Sequence, residues 1–158
     1  MEWINPKTDW NQSDRMNAED YNRIKNNLAY LHELGTNLYS SFSIEEMGED
    51  KDVKGHYFAS EFNILENNLE VINQNTFLRE YGDKQTFADN GPFITYGELN
   101  RIEKAMLMMY ETLASQKRAH LHLLVRFPYL LHTVGGELHY LSRSYIIYCI
   151  EIKVRERG

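Results

Sequence analysis

The chain is short of cysteine, proline and positive charge, and the first and last of these shortages each remove a class of protein. One cysteine, Cys149, stands in 158 residues, which excludes a disulfide framework and a cysteine-rich zinc site. Its neighbours Tyr148 and Ile150 are apolar, so a buried, inert thiol is expected. Three prolines leave long stretches able to form regular structure without interruption. Seventeen basic residues face twenty-three acidic ones, a net charge of −6. A general nucleic-acid binder needs a basic stripe, so no nucleic-acid partner is expected. No apolar run approaches the roughly 20 residues of a membrane helix, so no membrane span is expected. The first residues, Met1-Glu2-Trp3-Ile4-Asn5-Pro6, have neither a basic head nor an apolar run. No signal peptide is read there, and synthesis in the cytoplasm is expected.

Catalytic signatures are also missing. The chain contains no Gly-x-Gly-x-x-Gly, no phosphate loop ending in Gly-Lys-Ser/Thr, no His-Glu-x-x-His and no Gly-x-Ser-x-Gly. The acids Glu45, Glu46, Glu49 and Asp50 lack the spacing of an EF-hand loop. The expectation is a protein that is not an enzyme and needs no cofactor. An enzyme such as a wall hydrolase would require a cleft holding acids of shifted pKa.

What is present is a repeat. Asp20-Tyr21-Asn22-Arg23-Ile24-Lys25-Asn26-Asn27-Leu28 returns as Glu61-Phe62-Asn63-Ile64-Leu65-Glu66-Asn67-Asn68-Leu69. It returns again as Glu98-Leu99-Asn100-Arg101-Ile102-Glu103-Lys104-Ala105-Met106. Each copy carries apolar residues in a 3-4-3 spacing: Tyr21, Ile24, Leu28 and Leu31, then Phe62, Leu65, Leu69 and Ile72, then Leu99, Ile102, Met106 and Met109. That spacing draws one apolar stripe along a helix. Asn17 with Asp20, and Thr95 with Glu98, read as capping boxes. Three amphipathic helices that cannot bury their stripes alone predict a three-helix bundle.

Residues 1–16 read as an extended lead-in, with a turn at Pro6-Lys7-Thr8-Asp9 and two Trp side chains packed across helix ends. Residues 17–115 read as the bundle with long linkers. A break at Gly35 and a short helical turn over 44–47 are compatible with the pattern. After Gln116 the period changes from 3.6 to 2: His120, His122, Leu124 and Arg126 alternate with Leu121, Leu123, Val125 and Phe127. Gly135-Gly136 reads as a hairpin turn. The expected class is therefore α+β, with a small antiparallel β-sheet over 116–158. The alternative is that the third helix runs on to about Leu124.

Three constellations could carry function. The Asn-Arg pair of the repeat could be a site, but three equivalent asparagines are not the chemically distinct, convergent groups that catalysis needs. The structural expectation is that each Asn bonds the backbone of the preceding loop and each Arg pairs with an acid or lies at the surface. His132 and His139 would face each other across the hairpin, and with His120 and His122 could hold zinc or nickel. Exposed histidines on a strand are the commoner outcome. Tyr140 and Tyr145 offer aromatic faces on which a sugar could stack.

The lead-in Trp3-Ile4-Asn5-Pro6-Lys7-Thr8-Asp9-Trp10, followed by Asp20-Tyr21-Asn22-Arg23-Ile24 and later by Asn100-Arg101-Ile102-Glu103, resembles a recurrent segment of structural proteins of tailed phages and prophages. These come mostly from Gram-positive bacteria and belong to the tail, baseplate region or appendages. The resemblance covers about residues 1–115. Ile64, where an Arg would stand, departs from the pattern. The resemblance implies a non-enzymatic assembly module built into a virion. The partners it implies are other tail proteins, further copies of the chain in a ring or trimer, and a host-surface glycan in the alternative reading of a carbohydrate- or cell-surface-binding module. It supplies no catalytic residues.

Overall fold

A computed structural model describes residues 2–126, 132–134 and 137–139, with side chains for residues 2–121. The order is α1 (Ala18–Leu38), α2 (Ala59–Gln74), α3 (Tyr96–Arg126), β1 (His132–Val134) and β2 (Glu137–His139). The chain divides into two compact units, Met1–Lys117 and Arg118–Gly158.

The first unit is a three-helix arrangement. All the stripe residues of the repeat are buried, joined by Leu34, Ala105, Leu113 and Trp10. Burying each such side chain is worth about 1.5–3 kcal/mol, which outweighs the modest intrinsic preference of any one helix. The helix starts are set by local chemistry. At α1, Asn17 accepts from the Asp20 N–H and its own N–H donates to the Asp20 carboxylate, a complete capping box. At α2 only the return half exists, from the Phe58 N–H to Glu61. At α3 only the forward half is made, from the Glu98 N–H to Thr95, because the Glu98 carboxylate turns to Arg101. Gly35 does not break α1. A Cβ there would lie 3.1 Å from the Thr76 side chain and 3.2 Å from the Phe42 ring, so the glycine admits close packing.

The three helices run parallel. Tyr21 at the start of α1 meets Phe62 at the start of α2, edge to face at 6.0 Å. Arg23 in α1 pairs with Glu103 in α3, and Arg101 in α3 with Glu66 in α2. Parallel neighbours need a return path. A 21-residue helix is about 31 Å long, which an extended chain covers in roughly ten residues. The connections 39–58 and 75–95 supply it. No helical turn forms over 44–47, and residues 6–9 make no turn; the lead-in stays extended and turns at 11–14, where the Asp14 N–H donates to the Asn11 carbonyl.

The expected α+β class is corrected. α3 is one helix of 31 residues that runs through 116–126, where a strand was expected, and the described part of the first unit contains no strand. The alternation His120, His122, Leu124 suggests period 2. Yet the stretch from Gln116 to Arg126 has neither Gly nor Pro and carries Lys117, Arg118, Ala119 and three leucines, which are good helix formers. A helix already nucleated extends through them at little cost. Within the second unit, β1 and β2 pair antiparallel with His132 opposite His139 and Val134 opposite Glu137. A ladder of three residues per strand does not make the chain an α+β protein. Among the described residues the first unit is helical.

Candidate functional site

Five asparagines of the repeat, Asn22, Asn27, Asn63, Asn68 and Asn100, do one job, which Asn73 beyond the repeat shares. An Asn side chain offers an acceptor and donors side by side, as a peptide unit does, so one side chain can satisfy both the N–H and the C=O of a single residue. Six do so here, with all distances between 2.7 and 3.0 Å. Asn27 and Asn100 hold Ile4 and Trp10 of a first extended strap. Asn68 and Asn22 hold Glu45 and Lys51 of a second. Asn73 and Asn63 hold Arg79 and Phe87 of a third. The straps form no sheet, so these amides replace the ladder bonds their backbones would otherwise need.

The pattern is cyclic. The first Asn of each repeat (Asn22, Asn63, Asn100) clamps the strap that leads to the next helix, with α3 returning to the first strap. This corrects the expected direction, which was the preceding loop. The Asn five residues later (Asn27, Asn68) clamps the preceding strap instead. The third repeat has Ala105 at that place, so that clamp is missing.

The charged residues repeat with the same phase. Arg23 donates to Glu103 at 2.8 and 3.1 Å and to Asp20 at 2.8 Å. Arg101 pairs with Glu66 and, at 2.7 Å, with Glu98. Glu103 is wholly buried, and also accepts from the Trp10 indole at 2.9 Å and the Lys7 N–H at 2.8 Å. The third position reverses both partners: Ile64 replaces the arginine and Lys25 the acid. Lys25 turns to the second strap, bonding the Gly48 carbonyl and Asp50. Burial works against the Arg23 charge, but Glu103 and Asp20 outweigh it and hold its pKa above the ordinary value. Arg101 is likewise raised, with Glu98 and Glu66 outweighing burial. Burial pushes Glu66 upward, and Arg101 offsets this only in part. Glu66 is thus a perturbed acid, but one locked to a guanidinium in the helix interface.

Both tryptophans lie along the groove between α1 and α3; Trp10 packs at a helix end as expected, whereas Trp3 sits farther along, between Tyr30 and Tyr110. Trp3 stacks on Tyr110 at 4.1 Å with rings 5° apart. Trp10 is buried over the start of α3. Of the acid-rich linker, Glu45 accepts from Asn67 and Asp50 pairs with Lys25. The side chains of His132, His139, Tyr140 and Tyr145 lie outside the described residues.

The sequence reading overlooked an aromatic groove of about 450 Å³ at the end where the helices start. Tyr57, Phe58, Phe62, Phe87 and Phe93 line it. Phe58 and Phe93 are 57% and 54% exposed, and nearby Tyr96 is 51% exposed. The available signal was the placing of Tyr57-Phe58 and Phe93 at helix entries, where the apolar stripe does not require them. Family models, curated proteins and solved structures give no match to this chain.

Proposed function

We propose that the chain is a non-enzymatic structural component of a phage or prophage particle, in the tail or baseplate region, acting through protein–protein contacts. The observation that carries this reading is the physical union of the two motifs behind the resemblance. Trp10 of the lead-in bonds Asn100 through its backbone and Glu103 through its indole. The resemblance therefore rests on one interlocked unit and not on two unrelated strings. A second support is the exposure of Phe58 and Phe93 on the aromatic groove, since aromatic residues are enriched at the centres of protein interfaces. Incorporation into a virion after cytoplasmic synthesis follows from the same reading.

Mass spectrometry of gradient-purified particles from a host that carries the gene tests it. The chain is expected at a fixed ratio to tail proteins. Its confinement to the particle-free fraction contradicts the proposal. Phe58→Ala with Phe93→Ala is expected to leave the fold intact and lower incorporation at least tenfold, as loss of an aromatic anchor worth about 2 kcal/mol or more would.

A further inference from the structure

The three strap–helix units form a closed ring, and one closing contact differs from the rest. The clamps on the second and third straps join residues between 6 and 29 positions apart. The first strap meets α3 across 90 to 96 positions. It joins the first unit to the last. With the strap in place Asn27 and Glu103 have no exposed surface. Without it Asn27 and Asn100 lose the backbone groups they clamp, and Glu103 loses the Trp10 indole and the Lys7 N–H while keeping Arg23. The lost bonds favour a refilled groove over an open one. Most of those contacts go to backbone, so what the groove selects is an extended chain with a Trp in the Trp10 place. Between strap and α1, the bonds of Asn11, Ser13 and Asp14 are to one another and to Lys7. None reaches a helix.

We infer that the groove between α1 and α3 is an exchange site that accepts residues 3–10 of a second copy of this chain, giving strap-exchanged oligomers. The bonds between strap and groove are kept in the exchange, because the same strap meets the same groove; the path of residues 11–16 changes, and with it the Lys7–Asp14 pair and the packing of Met16 against the core. Exchange of an identical element is a low-cost route to assembly. The inference concerns the purified chain alone and does not depend on the virion reading.

The test alters the path and leaves the groove intact. Ser13→Pro with Asp14→Pro removes the turn at 11–14 and stiffens the tether into an extended form. Light scattering coupled to size exclusion then gives the mass, and tryptophan fluorescence the burial of Trp10. The expected result is at least twice the single-chain mass with wild-type tryptophan emission, reverting to single-chain mass when Asn100→Ala is added. Wild-type chains carrying two different tags, mixed at high concentration, should also co-purify, and Asn100→Ala in both should abolish this. A single-chain mass for the proline variant overturns the inference whether the tryptophan emission is native or shifted. In the first case the strap still closes on its own chain. In the second it opens and no second copy takes its place. Failure here leaves the particle mass-spectrometry test untouched.

Discussion

Asn27 and Asn68 have no exposed surface, and each bonds the N–H and the C=O of one strap residue. Replacing either by alanine removes two hydrogen bonds and leaves two backbone groups in a partly dry groove. The expected cost is about 2–3 kcal/mol, measured by urea unfolding. The ion pairs behave differently. Arg101→Leu strands the buried Glu66 carboxylate and is expected to cost about 3–5 kcal/mol; adding Glu66→Leu should recover most of it, since a buried pair is seldom more stable than an apolar one. Recovery of less than a third would mean that the pair itself stabilises the fold. Tyr21 supplies a pH signature. Burial, followed by the nearby Glu61 and Tyr57, pushes its hydroxyl up to about 12. A folded-state pKa above the ordinary value of 10 means that the fold retains a proton the unfolded chain releases. Stability is therefore full below pH 10 and falls as pH rises toward 12. Ultraviolet titration should show Tyr21 un-ionised at pH 11 in the folded protein, and Tyr21→Phe should flatten the alkaline loss of stability.

At the scale of elements, the helices were legible because their apolar spacing is regular and three copies confirm one another. Tyr21, Phe62 and Leu99 fall in the same phase and are buried together. The end of α3 was not legible from period alone, because a run with apolar residues at 121, 123, 124 and 125 fits either period over so short a span. Backbone chemical shifts decide it: helical values are expected through Leu121, whereas strand values from Gln116 onward would restore the sheet. The straps were least legible. They lack a ladder, and the clamps come from side chains 23 to 90 positions away, or, for Arg79, from Asn73 close by. The sequence does show Asn22 with Asn27 and Asn63 with Asn68, each pair five apart. What it cannot show is the backbone that each amide meets. Glu103 was similarly hidden. A glutamate in a polar-looking string reads as surface until Trp10, Lys7 and Arg23 are seen to converge on it.

At the scale of the molecule, parallel helices with returning straps explain features that a bundle with short loops would not. Three helix starts meet at one end, so their positive ends lie side by side, and the acids Asp20, Glu61 and Glu98 stand in the first turns. The cyclic order of clamps gives the repeat its meaning: Asn22, Asn63 and Asn100 each reach a different strap, and the last of them closes the ring. One departure falls in a single interface. Ile64 and Lys25 stand where the other two interfaces have an arginine and a glutamate, so both partners are absent together and no unpaired guanidinium is left there. The central claim is that asparagine side chains take the place of a sheet. Native-state hydrogen exchange followed by NMR tests it most directly at the amides of Ile4, Trp10, Glu45, Lys51, Arg79 and Phe87. All six lie in segments without regular structure. They should exchange at least a hundredfold more slowly than their strap neighbours other than Lys7 and Leu78, whose N–H groups are also bonded, and Asn68→Ala should release Glu45 while Trp10 stays protected. Exchange at the neighbours' rate at these six positions would contradict the account.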